Sequence, residues 1–224
     1  MAGVAADLPA LYAQSGLAPT PAQQACLLAY LDLLARWNST YNLTAVRDRA
    51  GMLTQHLADC LAVLRPLQRQ LLCGVGGGQT AGPALAPRVL DVGSGGGLPG
   101  VVIAALSPDW NVTCVDSVGK KMAFVRQVAG ELRLPNLHAV HSRIQDLKAP
   151  LFDVITSRAF SSLADFAALS RHLLAPGGVW MAMKGRVPED EISALPANVA
   201  VFHVEQLAVP GLDAQRCLVW MRPV

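Results

Sequence analysis

The segment DVGSGGGLPG, residues 91–100, combines residue types that bind nucleotide-like ligands. Gly93, Gly95 and Gly97 alternate two residues after Asp91, and a predicted strand and a predicted helix flank them. Glycines in a strand-to-helix turn allow a ligand to approach the backbone closely. The segment therefore predicts a cofactor-binding turn rather than a turn with a structural role alone.

The charges of the segment favour one class of cofactor. A pyrophosphate needs free N–H groups at the start of a helix, but Pro99 has no backbone N–H to donate there. Asp91 ends the predicted strand beneath the turn, and a carboxylate in that position favours a ligand that carries positive charge. S-adenosylmethionine, with its ammonium and sulfonium groups, is such a ligand. The GxGxxG spacing of Gly95, Gly97 and Gly100 leaves a nicotinamide or flavin enzyme as the alternative.

Further candidate cofactor contacts follow the next predicted strands. Asp116 ends the second strand, where an acid can accept hydrogen bonds from both ribose hydroxyls of an adenosine; its alternative role is to cap the following helix. Ile144 and Gln145 follow the third strand, where an apolar side chain can lie on adenine and a polar neighbour can meet its amino group. Arg158 ends the fourth strand, and open α/β sheets bind ligands at the carboxyl ends of their strands.

Alternating strand-like and helix-like runs from residue 88 onward must position these residues. RVLDV, NVTCVD, LHAVHS, FDVITSRA and, after a PGG turn, VWMAMKG predict strands with helices between them. This alternation specifies an α/β fold with a parallel sheet covered on both faces. NVAVFHVEQLAV and RCLVWMRP, joined by a short loop, predict an antiparallel C-terminal hairpin. We expect a helical cap at 1–73, a flexible glycine-rich loop at 74–87 and the core at 88–224.

Two patterns predict the helices of the cap. Thr20, Pro21 and Gln23 form a helix-start signal, with a Thr cap, Pro at the first helical position and Gln three residues after the cap. Apolar residues at helical spacing continue this helix to about Trp37. A second stripe, with Leu at positions 53, 57 and 61, predicts another helix.

Composition limits the class of protein. The chain has 224 residues, of which 52% are hydrophobic and 15% charged, yet no stretch approaches the ~18 uncharged apolar residues of a membrane span. No Lys or Arg precedes Arg36, so the basic start of a secretory signal is missing and we expect a cytoplasmic protein. The five cysteines contain no CxxC pair, which argues against a disulfide framework and against a metal site.

Six segments together resemble one bacterial family. They are WNSTYNLTAVRD, DVGSGGGLPG, DSVGKKMAFVRQV, SRIQDL, FDVITSRAF and MKGRVPEDEI. From about Trp37 to the C-terminus the chain is similar to the bacterial small-subunit ribosomal RNA guanine-N7 methyltransferases, also called glucose-inhibited division protein B. The resemblance implies a Rossmann-like, class I S-adenosylmethionine-dependent methyltransferase with a mostly parallel seven-stranded sheet. It also implies methylation of N7 of one guanine in the 530-loop region of 16S rRNA.

The resemblance further implies the cofactor contacts. They fall on Gly93, Leu98, Ile144, Gln145 and Arg158. Relatives often have an acid where this chain has Gln145; its amide oxygen can still accept a hydrogen bond, and the neighbouring Asp146 is the alternative. Guanine N7 has a lone pair and no proton, so its methylation needs no general base, and we assign no catalytic residue.

Basic residues near the predicted strand ends are candidates for contacts with RNA phosphates, with a solvated basic face as the alternative. Asn42 is a further candidate, although Asn is also a common turn residue. His56 and Asp59 lie one helical turn apart, and we interpret them as a surface or inter-domain hydrogen-bonding pair. The basic candidates are Lys120, Lys121, Arg126, Arg143, Arg158, Lys184 and Arg186.

The same sequence features predict the binding partner of the chain and leave two alternative functions. The net charge of only +2 gives the chain little reason to bind naked RNA tightly, so we expect 16S rRNA within the small ribosomal subunit or an assembly intermediate. Side chains hardly enter the deep groove of duplex RNA where N7 lies, so the target should be a loop base in a base-sized pocket. We expect a monomer without metal. A small-molecule methyltransferase on the same fold and an NAD-dependent oxidoreductase are the alternatives.

Overall fold

A computed structural model describes residues 2–74, 86–160 and 162–224. The N-terminal part is helical and forms one side of the molecule's core. Its segments are α1 (Ala2–Gln14), α2 (Pro21–Tyr41), α3 (Arg49–Met52), a π-helical segment (Leu53–Ala58), α4 (Asp59–Ala62) and α5 (Leu64–Gly74).

The start of α2 confirms the predicted capping box. Thr20 Oγ1 accepts a hydrogen bond from the Gln23 N–H at 3.3 Å, and Gln23 Oε1 accepts one from the Thr20 N–H at 2.9 Å. The predicted end at Trp37 is wrong, because α2 continues to Tyr41. The helix ends where Asn42 takes up the left-handed conformation (φ 50°), which Asn tolerates better than most residues.

The helical run from α3 to α5 contains the second predicted stripe. Leu53, Leu57 and Leu61 are buried, as the spacing predicts. A π-helical segment was not predicted; such segments occur often at functional sites. His56 within it and Asp59 directly after it are both buried, so this run turns two polar side chains towards the interior.

A seven-stranded sheet forms the rest of the core, in the order β3-β2-β1-β4-β5-β7-β6. The strands are β1 (Arg88–Val92), β2 (Asn111–Asp116), β3 (Leu137–His141), β4 (Phe152–Ser157), β5 (Leu174–Lys184), β6 (Val199–Leu207) and β7 (Arg216–Pro223). The helices between them are α6 (Gly100–Leu106), α7 (Gly119–Glu131), α8 (Leu163–Ser170) and α9 (Glu189–Ser193).

The pairing of the strands confirms the predicted sheet. Strands β1 to β5 pair in parallel, and β7 pairs antiparallel with both β5 and β6. The predicted PGG turn before VWMAMKG is wrong: residues 176–178 lie inside β5, where the pairing with β4 shifts register between Phe152 and Val154. The short helix α9 was not predicted.

Apolar side chains cover the sheet on both faces. On one face Leu27, Tyr30 and Leu31 of α2 join a hydrophobic cluster with residues of α6 and α7. On the other face Phe166 of α8 packs with Trp180 of β5. The cap helices thus share one core with the sheet, and this fixes α2 against the loop that follows β1.

Most of the expected glycine-rich loop is outside the part of the chain that the structure describes. Helix α5 ends at Gly74, and residues 75–85 of the predicted flexible loop lie outside the described residues. No described helix is long and apolar enough to cross a membrane. Within the same residues, no group of three or more His, Cys, Asp or Glu side chains could hold a metal ion.

Candidate active site

The turn between β1 and α6 is built from glycines in left-handed conformations. Gly93, Gly95 and Gly97 have φ values of 67°, 58° and 88°. The Gly93 and Ser94 N–H groups donate to the carbonyl of Val115 at 2.8 and 3.2 Å, which anchors the turn to β2. From the cap, the buried hydroxyl of Tyr30 donates to the carbonyl of Gly96 at 2.7 Å. The turn is therefore held from both the sheet and the cap.

Asp91 faces the start of α6 inside the protein, which differs from the expectation that its charge favours a cationic ligand. Its side chain is completely buried, and Oδ2 accepts a hydrogen bond from the Gly100 N–H at 2.8 Å, at the start of α6. Oδ1 has no hydrogen-bond partner among the described residues. Burial raises the pKa of this carboxyl to about 7. The carboxylate takes the helix start that a pyrophosphate would need, which still disfavours a dinucleotide.

Replacing Asp91 with asparagine should make the stability of the protein less dependent on pH. Because burial raises the Asp91 pKa from 3.8 to about 7, its contribution to folding is fully present below the lower value and is lost as pH rises to the upper one. Asn cannot ionise, yet its side-chain oxygen can still accept from Gly100. We expect Asp91→Asn to gain about 2–4 kcal/mol over the wild type between about pH 5 and about pH 8. Thermal unfolding at both pH values measures this, and an equal difference at both would contradict it.

The main cleft lies at the carboxyl ends of β1, β2, β3 and β4 and has a volume of about 470 Å³. Gly93, Asp116, Ile144 and Gln145 line it, whereas Asp146 does not. The structure therefore brings four of the six candidate cofactor residues into one space. Ile144 is buried at its apolar wall and Gln145 is exposed at its rim.

The carboxylate of Asp116 is held on the wall of the main cleft. Its Oδ1 accepts from the Val118 N–H at 2.9 Å, and its Oδ2 accepts from the Gly95 N–H at 3.1 Å. Lys121 Nζ lies 3.5 Å from Oδ2. Asp116 thus stabilises the start of α7, which was its alternative role, and also lines the cleft, where a ribose hydroxyl could reach it.

The turn cleft, about 210 Å³, continues the main cleft past the glycines. Gly93 and Ala159 line both clefts, so the two spaces adjoin. The other two candidate cofactor residues, Leu98 and Arg158, lie here and not in the main cleft. Thr44 of the cap also lines this space, so cap and core enclose it together.

The charged cleft, about 390 Å³, lies on the far side of Arg158, which also lines the turn cleft. Asp59 is its most buried side chain: Oδ1 accepts from Arg216 Nε at 3.0 Å and Oδ2 accepts from Arg158 Nη1 at 3.4 Å. The neighbouring His56 has Nε2 2.6 Å from Thr44 Oγ1. Burial, and next the charge of Arg158, lower the pKa of His56, so its imidazole is neutral at neutral pH.

Arg216, which is the nearer of the two arginine partners of Asp59, was not predicted from the sequence. The spacing of His56 and Asp59 singled out this pair, and the observed bonds from Asp59 to Arg158 and Arg216 do join the cap to the core. Arg216 follows the loop PGLDAQ and carries no local signal, because its partner is far away in the sequence.

The chain matches a known family model over most of its length. The model is described as rRNA small subunit methyltransferase G, and it matches residues 23–219. The chain belongs to this family. Two relatives, each named ribosomal RNA small subunit methyltransferase G, agree. The one from Acidovorax ebreus is 57% identical over 209 residues, 93% of this chain and 91% of that protein. The one from Leptothrix cholodnii is 61% identical over 201 residues, 90% of this chain and 87% of that protein.

Solved structures confirm the predicted fold class of this member of the rRNA small subunit methyltransferase G family. TrmN from Thermus thermophilus is similar with a TM-score of 0.53 at 21% identity, over 74% of this chain and 49% of that one. A SAM-dependent methyltransferase from Aquifex aeolicus has a TM-score of 0.52 at 15% identity, over 76% of this chain and 92% of that one. The fold is that of the class I S-adenosylmethionine-dependent methyltransferases.

In this family member, the side chains predicted to contact RNA differ in their exposure and in whether another group already balances their charge. Lys120 and Arg126 are exposed on α7, and Arg143 is exposed where it lines the main cleft. Lys184 lines the charged cleft, but its ammonium donates to Glu191 Oε1 and Oε2 at 3.0 and 2.8 Å and to the carbonyl of Phe160 at 3.2 Å. Its charge is therefore already balanced within the protein.

Asn42 ends helix α2, and this structural role explains its left-handed backbone conformation. It follows α2 in the left-handed conformation, and its Oδ1 accepts from Arg47 Nη2 at 2.9 Å. This is the turn role given above as the alternative. Contact of Asn42 with RNA stays a prediction, as it does for the seven basic candidates.

Proposed function

We propose that the protein transfers a methyl group from S-adenosylmethionine to N7 of one guanine in the 530-loop region of 16S rRNA. The observation that carries this proposal is the row of three adjoining clefts in a chain of the rRNA small subunit methyltransferase G family. A large pocket for a nucleoside leads past the glycine turn to a pocket lined by arginines. Such an arrangement suits a reaction that brings a cofactor and an RNA nucleotide together.

The residues of the main and turn clefts fit S-adenosylmethionine. Asp116 offers a carboxylate to the ribose hydroxyls, Ile144 an apolar surface to the adenine, and Gln145 a hydrogen-bonding amide beside it. Gly95 leaves open space, since an added Cβ there would meet nothing closer than the Gly93 carbonyl at 4.0 Å. When bound, this cofactor supplies a methyl group whose bond to sulfur breaks as the lone pair of guanine N7 attacks it.

In this reaction the chain's own residues would position the reacting groups and accommodate the positive charge that forms on the guanine ring. No proton leaves N7, so no general base is required, and good alignment of the reacting groups can supply ~7–11 kcal/mol of the barrier. The methylated guanine ring carries a positive charge. A neutral His56 adds no further positive charge to the pocket, and the Asp59 carboxylate offsets one of the two arginine charges.

Labelled methyl transfer tests the proposal. Tritiated S-adenosylmethionine is incubated with small ribosomal subunits, or with 16S rRNA, from cells that lack this protein, and aniline cleavage then maps N7-methylguanine. We expect label on a single guanine in the 530 loop. Cofactor binding without transfer to either substrate would contradict the proposal and favour a small-molecule methyltransferase; label at another base or atom would contradict the assigned position.

Replacing Asp116 with alanine should weaken cofactor binding. The variant loses the acceptor for the ribose and also for the Gly95 and Val118 N–H groups. A hydrogen bond to a charged group contributes about 1.5–3 kcal/mol, so we expect the Kd for S-adenosylmethionine to rise at least about tenfold in titration calorimetry. Asp146→Ala is the matched control, because Asp146 is an exposed acid that follows β3, the neighbour of β2, and lines neither the main cleft nor the turn cleft. Equal Kd values for the two variants would contradict the role of Asp116.

A further inference from the structure

We propose that Arg158 and Arg216, held in place by Asp59, bind a phosphodiester group of the RNA next to the target nucleotide. The inference rests on the proposed function, since it concerns the grip on an RNA substrate. It assigns a ligand to the charged cleft and a role to Asp59 and Arg216.

The buried carboxylate of Asp59 orients both guanidinium groups. Its side chain is only 3% exposed, whereas those of Arg158 and Arg216 are 28% and 26% exposed. The arginines thus meet at the carboxylate on the protein side and reach the surface on the other. Gln55 and Gln215 accept further hydrogen bonds through their carbonyl groups, from Arg158 Nη1 at 3.5 Å and from Arg216 Nη1 at 2.8 Å. The Nη2 groups of both arginines have no partner in the part of the chain that the structure describes.

The charges in this cleft leave one positive charge in excess. Two guanidinium groups share one carboxylate, Lys184 is balanced by Glu191, and His56 is neutral. A phosphodiester carries one negative charge and presents two oxygens, which suits the forked N–H groups of arginine. Because the pair is half-buried, its attraction for an anion is screened less than that of the exposed Lys120 of α7.

The position of the pair fits a phosphate beside the reacting base. Arg158 lines both the charged cleft and the turn cleft, and the turn cleft adjoins the main cleft through Gly93 and Ala159. The residues come from three parts of the fold: Asp59 from the helical cap, Arg158 from the position after β4, and Arg216 from the start of β7. A phosphate here would lie beside the turn cleft, next to the nucleotide whose base meets the cofactor there, so the contact would position the base and not merely increase affinity.

The test is the salt dependence of RNA binding by Arg216→Gln. Each phosphate contact contributes about 0.7–0.9 to the slope of log K against log salt concentration, so the variant should lose about one unit of slope with isolated 16S rRNA. We also expect about tenfold weaker binding to 16S rRNA, a raised KM for small subunits, and an unchanged Kd for S-adenosylmethionine, because Arg216 lines neither the main nor the turn cleft. Arg216→Lys keeps the charge and should keep the slope.

The matched control is Arg222→Gln. Arg222 lies on the same strand as Arg216, but it is exposed and its guanidinium lies over the ring of Phe202, away from the clefts. Its removal changes the net charge equally and should leave the slope unchanged. Equal slopes for the wild type and Arg216→Gln, or equal losses in Arg216→Gln and Arg222→Gln, would overturn the phosphate contact. A slope loss confined to Arg216→Gln, in a protein that transfers no methyl group, would support the contact while refuting the proposed reaction.

Discussion

Replacing Gly97 with alanine is expected to destroy the cofactor turn. Gly97 has a φ of 88°, which L-residues rarely adopt, and an added Cβ would lie 2.5 Å from Val101 Cγ2 in the first turn of α6. The strained backbone costs about 1–3 kcal/mol, and the overpacked contact adds about 1–3 kcal/mol. We expect a loss of ~3 kcal/mol in the free energy of unfolding and no measurable binding of S-adenosylmethionine, because relief of the clash must move the turn.

Gly130→Ala is the control for this prediction. Gly130 lies in α7 with ordinary helical backbone, and nothing lies within 4 Å of an added Cβ. Alanine there should be neutral or stabilise the helix by about 0.5–1 kcal/mol. Urea unfolding and calorimetric titration of both variants measure the two effects. Wild-type stability and cofactor affinity in Gly97→Ala would show that the turn does not require its left-handed glycine.

Removing the carboxylate of Asp59 should destabilise the protein more than the loss of any exposed ion pair. Asp59→Ala leaves the guanidinium groups of Arg158 and Arg216 without their shared anion. Breaking a buried ion pair in this way costs about 3–5 kcal/mol. Since both arginines are about a quarter exposed, water compensates in part, and we expect a loss near ~3 kcal/mol, or about 6–12 °C in Tm for a chain of this size.

Asp32→Ala provides the comparison, because Asp32 pairs with Arg49 at the surface and its side chain is 68% exposed. Exposed pairs contribute about 0–1 kcal/mol, so its Tm should change by only about 0–4 °C. Asp59→Asn, which keeps one hydrogen-bond acceptor but no charge, should lie between the two. A Tm for Asp59→Ala equal to that of Asp32→Ala would mean that the two arginines need no buried anion.

The elements that the sequence predicted well are those specified by local patterns. The capping box at Thr20 and the buried apolar runs of the strands depend on neighbours within a few positions, and all appear in the structure. The end of α2 was misplaced because no Gly or Pro follows Trp37 directly, and the helix stops only where Asn42 adopts the left-handed conformation. The PGG sequence was read as a turn, yet an irregular strand also accommodates it.

In the candidate site, too, the residues that belong to local motifs were predicted, and the contacts between distant segments were not. The motifs place Gly93, Ile144 and Gln145 around one cleft, because each follows the carboxyl end of a parallel strand within about four residues. The orientation of a side chain at such an end is decided by tertiary packing, so Asp91 could not be recognised as facing a helix start. Contacts between distant segments carry no sequence signal at all. The pairing of Asp59 with Arg216, 157 positions later, is the clearest example.

The antiparallel direction of β7 has a consequence for the order of events during synthesis. Lys184 at the end of β5 pairs with Cys217 near the start of β7, so Arg216 reaches the edge of the sheet where the parallel strands end. The helical cap and the strands up to β5 leave the ribosome before this strand does. Because chains emerge from the N-terminus first, Asp59 can pair with Arg216 only once the start of β7 has been translated. We therefore expect a newly made chain to complete the Asp59–Arg216 pair, and with it the proposed phosphate contact, only after the segments that form its cap and the strands up to β5 have been made.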